Sequence, residues 1–288
     1  DSLIGVIDWL EDNPSGALVL ASTYDAQAEN ARVDQERLLP ALEAQYGGRV
    51  RRFVARTGLC SGGKDTNFRS RSLAFIGNAV LAASFLDDTA PIIIPENGAI
   101  ALNYPLTPAR RGSLSTRTVH PHFVAMLGEV LNALGLRRRL VNPYAVKTKG
   151  EMMQECRNAT LLSATYSRSA SCGKRARRMH WEDRRARQCG ACVPCIFRRA
   201  AVHKVGLPEE QYGFGLMPGR ALNRILSQPN QDLSSVIDLV ERNDSAATIW
   251  RTLRSGGSLP ASLKDDYTSL VERLRDEVRN WAHSINLV

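Results

Sequence analysis

Apolar residues along the chain recur first at helical and then at strand spacing, and the two rhythms alternate. Ile4, Ile7 and Leu10, with Trp9, predict a helix over residues 3–10 that ends in the turn Asn13-Pro14-Ser15-Gly16. Residues 17–22 (ALVLAS) form a continuous apolar run and predict a buried strand. Residues 28–46 read as a second helix closed by Gly47-Gly48, and residues 49–55 alternate weakly as a further strand. A long helix over 67–85 precedes the short apolar strand 91–94 (PIII), which runs out into Pro95-Glu96-Asn97-Gly98. Residues 122–134 are helical and 138–141 form a last strand. This order predicts an α/β protein with a doubly wound parallel sheet, whose ligands lie at the carboxyl ends of the strands.

Beyond Gly206 only the helical rhythm remains. Leu233, Val236, Ile237 and Val240, then Leu263, Tyr267, Leu270, Val271 and Leu274, recur at helix spacing. The expected organisation is therefore a sheet-based domain over 1–205 and a helical C-terminal region over 206–288. The C-terminal stripes suit core packing or the contact of a homodimer.

Composition and charge narrow the function classes. A chain of 288 residues that is 43% hydrophobic buries a sizeable core. Its apolar runs, such as 73–86, are broken by polar residues and fall short of the ~20 residues that span a bilayer. No membrane association and a cytoplasmic location are expected. The formal charge of +9 favours anionic ligands: nucleotides, nucleic acid or an acidic protein surface. Much of it lies in Lys174, Arg175, Arg177, Arg178, Arg184, Arg185 and Arg187, which form either a solvated loop or a docking strip.

Of six cysteines, three fall in Cys189-Gly190-Ala191-Cys192-Val193-Pro194-Cys195, and Cys172 lies upstream in Ser171-Cys172-Gly173. Two interlocking CxxC turns plus a returning fourth thiol suit tetrahedral Zn²⁺, and four protein ligands leave no open position, so the ion is expected to be structural. An iron–sulfur cluster is the alternative. Cys60 and Cys156 read as plain thiols.

The knuckle over 171–200, with Arg198 and Ala200 following the last cysteine, resembles the one that closes the 7-cyano-7-deazaguanine synthase (QueC-like) family of PP-loop ATP pyrophosphatases, a fold of adenine nucleotide alpha hydrolase-like type. The gap before Cys189 is longer than usual in that family. Thr148-Lys149-Gly150-Glu151-Met152 is similar to the segment whose lysine introduces the helix leading to the knuckle. Tyr24-Asp25-x-Gln27-x-Glu29 resembles the family's loop after its second strand. On that alignment Asp1-Ser2 is the tail of the SGGxDS phosphate signature, and the first strand is expected upstream of Asp1. Ser61-Gly62-Gly63-Lys64-Asp65-Thr66 is a rival fit to the same signature, though residues 51–60 are poorly apolar for a central strand. Further segments resemble the anti-phage defence branch of the family, found in Qat and CBASS-type operons: Pro95-Glu96-Asn97-Gly98, the loop over 105–121 and Asn142-Pro143-Tyr144. The resemblance covers residues 1 to about 203.

The resemblance implies an ATP- and Mg²⁺-dependent C–N ligase that adenylates 7-carboxy-7-deazaguanine and passes the acyl group to an amine. That amine is ammonia or, in the defence branch, an amino group of a partner protein. It implies catalytic roles for Arg69, Arg71 and Lys149, and nucleotide contacts from Asp1, Ser2, Tyr24, Asp25, Gln27 and Ser70. Glu96 and Asn97 would receive the base, while Arg110 or Arg117 would clamp its carboxylate and His120 would carry a proton. The zinc ligands would be Cys172, Cys189, Cys192 and Cys195. A tRNA- or nucleic-acid-binding protein is the alternative class, in which the arginines around the knuckle contact phosphate.

Overall fold

The computed structural model describes residues 1–25, 30–57, 71–86, 89–106, 119–216 and 232–287. The protein is mixed α/β, mostly helical, with small parallel sheets. It divides into two compact units. The first comprises Asp1–Glu96, Leu114–Pro143 and Cys156–Ser169, and the second Asn97–Ser113, Tyr144–Glu155 and Ala170–Val288.

In the first unit, α1 (Ser2–Asp12) buries Leu3, Ile4, Ile7 and Leu10 on one face, as their spacing requires. The carbonyls at its C-terminal end have no intrahelical partners, and Arg49 supplies them from a distant turn. It donates to Leu10 O and Asn13 O, each at 2.6 Å, and to Gly16 O at 2.9 Å. β1 (Leu18–Asp25) then pairs in parallel with β2 (Val50–Thr57), in register from Leu18↔Val50 to Asp25↔Thr57. The crossover between them is α2 (Asn30–Tyr46), as a parallel pair demands. Arg51, Arg52, Val54 and Arg56 of β2 are exposed, and β2 pairs with β1 alone among the described residues, which explains its weak apolar pattern.

α3 (Arg71–Ser84) follows, and Arg138 holds its end by donating to Ala83 O at 2.6 Å and Leu86 O at 2.9 Å. β3 (Ile92–Ile93) pairs in parallel with β4 (Leu140–Val141). The expected single doubly wound sheet is thus represented, among the described residues, by two separate parallel pairs. α5 (Pro121–Ala133) lies between β3 and β4 in the chain, after the short α4 (Gly98–Leu102) of the second unit. Met126, Val130 and Leu134, and on α3 Leu73 and Leu81, are exposed at helical spacing. α7 (Ala159–Thr165) completes the unit.

The second unit is helical. α6 (Lys149–Gln154), α8 (Val193–Lys204), α9 (Asp232–Glu241), α10 (Ala246–Arg254) and α11 (Lys264–Ser284) enclose a core that includes Ile196, Leu239, Ile249, Leu270, Leu274 and Trp281. Each such side chain contributes ~1.5–3 kcal/mol of burial. α8 is buried along almost its whole length, with α6 and α11 packed on it. The helices after residue 206 are therefore part of one core with α8. Gly98 opens α4 where backbone passes close: a Cβ there would lie 2.2 Å from Ala145 O. Among the described residues no helix is long and apolar enough to cross a membrane.

Candidate metal centre

Cys172, Cys189, Cys192 and Cys195 converge in the second unit, their Sγ atoms all within 4.8 Å of one another. Among the described residues this is the only cluster of its kind. Gly190, with φ +80°, turns the chain between the first two knuckle cysteines. A side chain there would collide with the Tyr212 ring, its Cβ lying 2.6 Å from Tyr212 Cβ. Cys192 then caps α8, with Pro194 in the first turn, and Cys195 lies in that turn, wholly buried. Trp181, Ala186 and Phe214 pack around the thiols.

The backbone is arranged for charged sulfur. Lys174 N and Cys189 N donate to Cys172 Sγ, both at 3.4 Å, while Ala191 N and Cys192 N donate to Cys189 Sγ at 3.5 and 3.3 Å. Without a cation the four thiols are in conflict. Hydrogen bonds from Cys189, Cys192 and Cys195 hold the Cys172 thiol far below its ordinary range, whereas the hydrogen bond to Cys172, the neighbouring thiols and burial push Cys195 far above it. A divalent ion removes that conflict by stabilising all four thiolates at once. The geometry fits Zn²⁺: with Zn–S of ~2.3 Å a tetrahedron has S···S edges of ~3.8 Å, and Cys189 Sγ lies 3.8 Å from Cys195 Sγ. In an iron–sulfur cluster the four cysteines are divided among two or four irons, and sulfurs on different irons stand farther apart than the 4.8 Å within which all four lie here.

A second layer of polar residues fixes the knuckle. Gln188 accepts from Ser171 N at 2.8 Å and forms a parallel bridge with Tyr212, so the chain segments carrying Cys172 and Cys189 are tied to each other and to the strand-like segment at 212. Arg198 reaches Glu210 in an ion pair whose side chains are 7% and 9% exposed. Arg199 pairs with Glu209 and lies over the rings of Tyr212, at 4.6 Å, and Trp281, at 5.3 Å. In the basic stretch Arg178 donates to the carbonyls of Arg184 and Arg185, and Lys174 pairs with Asp232, so part of that charge is structural.

Upstream of the knuckle, Lys149 opens α6 and is buried. Thr148 and Glu151 form a reciprocal capping box around it. Glu277 of α11 accepts from Thr148 Oγ1 at 2.6 Å and from Gly150 N at 3.0 Å, with Lys204 Nζ at 3.4 Å. The backbone on both sides of Lys149 is thus held by one buried carboxylate, whose pKa burial raises above the usual range. Arg273 adds a second tie from α11 through Glu151, at 2.6 Å. Glu277 has a sequence signature that periodicity alone passes over: with Leu270, Leu274 and Trp281 it occupies a stripe position that is otherwise apolar.

The other expected site residues are dispersed. Asp1 is the N-cap of α1 and Ser2 its first residue. Tyr24 and Asp25 end β1, and the Arg32 guanidinium lies 5.4 Å from the Tyr24 ring centroid. Glu96 follows β3, its backbone clamped by Asn142, which accepts from Glu96 N at 3.3 Å and donates to Glu96 O at 2.8 Å. Two of the expected residues cap helices. Asn97 is fully buried and its Oδ1 accepts from Ile100 N at 3.0 Å as the cap of α4. His120 is 1% exposed and its Nδ1 accepts from His122 N at 3.3 Å as the cap of α5. Arg71 is the first residue of α3. Gln27, Arg69, Ser70, Arg110 and Arg117, the rival phosphate loop at 61–66 and Cys60 lie outside the described residues.

The fold and the centre define a mixed α/β, mostly helical protein with a four-cysteine site able to hold a metal ion such as zinc. No protein-family model, no curated protein and no solved structure matches the chain.

Proposed function

We propose that the protein is a zinc-braced, ATP-dependent C–N ligase of the PP-loop pyrophosphatase type, acting on 7-carboxy-7-deazaguanine in anti-phage defence. The observation that carries this reading is an order along the chain. Tyr24-Asp25 ends β1, Lys149 opens a capped helix, and the four-cysteine centre follows, in the sequence of parts that the resembled family has. The two parallel pairs with helical crossovers are compatible with halves of a doubly wound sheet.

In this reading a substrate carboxylate oxygen attacks the α-phosphorus of ATP and pyrophosphate leaves. The amine nitrogen then attacks the acyl carbon, AMP leaves and the amine loses a proton. The amine is ammonia or an amino group of a partner protein. Mg²⁺ would enter with ATP and neutralise charge on the leaving pyrophosphate. Lys149, held between two residues anchored by Glu277, would stabilise developing phosphate charge without needing to reorganise. The cysteines would hold zinc as a brace, keeping α8 in place behind α6, and would do no chemistry.

The test is incubation of the metal-loaded protein with ATP, Mg²⁺ and 7-carboxy-7-deazaguanine, with ammonia and with amine-bearing proteins. Mass spectrometry should find AMP together with an adenylate, amide, nitrile or protein conjugate. Lys149→Ala should lower turnover ~10²-fold or more while the protein still folds. Absence of AMP across the amine panel overturns the reading.

A further inference from the structure

One face of the second unit has no part in the metal centre or in the frame of α6. α10 buries Ile249, Thr252 and Leu253, turns Arg251 and Arg254 toward the other side, and carries half-buried Trp250 at the border, packed in part against the core. Against that side, Ser255 at the helix end and Lys264 at the start of α11 complete a cleft of about 500 Å³, which Ala247 also lines. The lining thus holds three cations and an indole but no carboxylate.

Several arginines elsewhere in the unit are neutralised by acids. Arg198, Arg199, Arg273 and Arg279 each face a carboxylate, on Glu210, Glu209, Glu151 and Asp276. α10 contains no acidic residue, and Arg251, Arg254 and Lys264 form no ion pair among the described residues. Favourable interaction with the helix dipole accounts for two arginines in the last turn of α10. It does not account for a half-buried tryptophan that lines the same cleft beside them, or for a lysine brought alongside from another helix. Asp265 and Asp266 follow Lys264 but sit in the first turn of α11, where the dipole favours them, and neither lines the cleft.

We propose that this cleft binds single-stranded nucleic acid, with one base stacked on Trp250 and neighbouring phosphates held by Arg251, Arg254 and Lys264. Cations alone would suit any anion, and an indole alone any apolar group. Their combination in an open cleft of ligand size matches a strand, which presents a planar base between phosphates at every step. An acidic peptide would satisfy the cations but offer no planar ring to the part of the indole that lines the cleft. The site is independent of the ligase chemistry and of the basic stretch beside the knuckle, so its test omits ATP and the deazaguanine.

The experiment is fluorescence anisotropy of a labelled oligouridylate with the full metal-loaded chain, titrated between about 50 and 300 mM salt. Three phosphate contacts on a single strand predict a log–log slope near −2, at ~0.7 per contact. Arg251→Ala with Arg254→Ala should flatten that slope by ~1.4 and weaken binding at least ~10-fold. Trp250→Leu should weaken binding ~5-fold or more with the slope unchanged, and Trp250→Phe should restore most of it. Circular dichroism checks that each variant is folded, which the exposure of both arginines favours. Arg184→Ala with Arg185→Ala should leave both quantities near those of the parent chain. The proposal is overturned by no binding at the lowest salt, by cleft variants that leave affinity and slope intact, by loss confined to the Arg184/Arg185 variant, or by an oligoglutamate competing as well as RNA.

Discussion

Withdrawing the metal ion tests the centre most directly, because the geometry says how far the damage should spread. Four backbone amides, those of Lys174, Cys189, Ala191 and Cys192, donate to the sulfurs of Cys172 and Cys189. A hydrogen bond to a charged acceptor is worth ~1.5–3 kcal/mol, and chelation reprotonates the thiolates and weakens all four bonds together. A local loss of at least ~4 kcal/mol corresponds to about 10³-fold faster amide exchange at these positions. The loss should extend through Gln188 to the segment at 212–214, whose amides at Gly213 and Phe214 donate to Gln188 O and Cys189 O. It should stop there, because the core of Leu239, Ile249, Leu270, Leu274 and Trp281 is built without the cysteines. Hydrogen exchange read by mass spectrometry, before and after chelation under reducing conditions, should therefore show a lesion confined to about 171–192 and 212–214, with α11 still protected. Cys195→Ser should reproduce the pattern, and elemental analysis should find about one zinc per chain. Folded, reduced protein that contains no metal, or exchange unchanged by chelation, would refute the assignment.

Three further perturbations probe the frame. Arg198→Ala strands the Glu210 carboxylate in a buried site, so urea unfolding should show a loss of ~3–5 kcal/mol, with the Arg198→Ala/Glu210→Gln double variant losing less than the sum of the singles. Glu277→Ala leaves the Thr148 hydroxyl and the Gly150 amide without their acceptor and should cost ~3 kcal/mol in the same assay; Glu277→Gln, which keeps one acceptor oxygen, should cost less. Burial pushes the Cys156 thiol up to about 12, against ~8.5 in an unfolded chain. The folded state therefore holds that proton more tightly, and this contribution to stability is fully present below pH ~8.5 and declines as pH rises toward about 12. Thermal melting between pH 7 and ~10 should show the decline, and Cys156→Ala should flatten it.

What the sequence makes legible here is whatever a short window contains. The stripe Ile4, Ile7, Leu10 and the run at 17–22 mark α1 and β1 because a helix or strand buries its own residues at a fixed period. The metal centre is legible for the same reason: three of its ligands lie within seven residues. Helices of five or six residues, such as α4 and α6, do not complete enough turns to show a period, and their caps Asn97 and Thr148 are better markers than their apolar content. Nothing local announces that Arg49 closes α1 or that Arg138 closes α3, since each acts across more than thirty residues.

Glu277 stands between these cases and shows what periodicity measures. It reports that a position faces the interior but not what it meets there, so a carboxylate at a stripe position reads as an interruption. Burial of an ionised group is tolerated only where donors meet it, and here the donors are the residues on either side of Lys149. An acid set in an apolar stripe is therefore a pointer to a donor-rich partner elsewhere in the chain. α11 meets α6 through that acid and through Arg273, so the helical C-terminal region belongs to the frame that fixes Lys149, and a catalytic role for this lysine would depend on residues more than a hundred positions away.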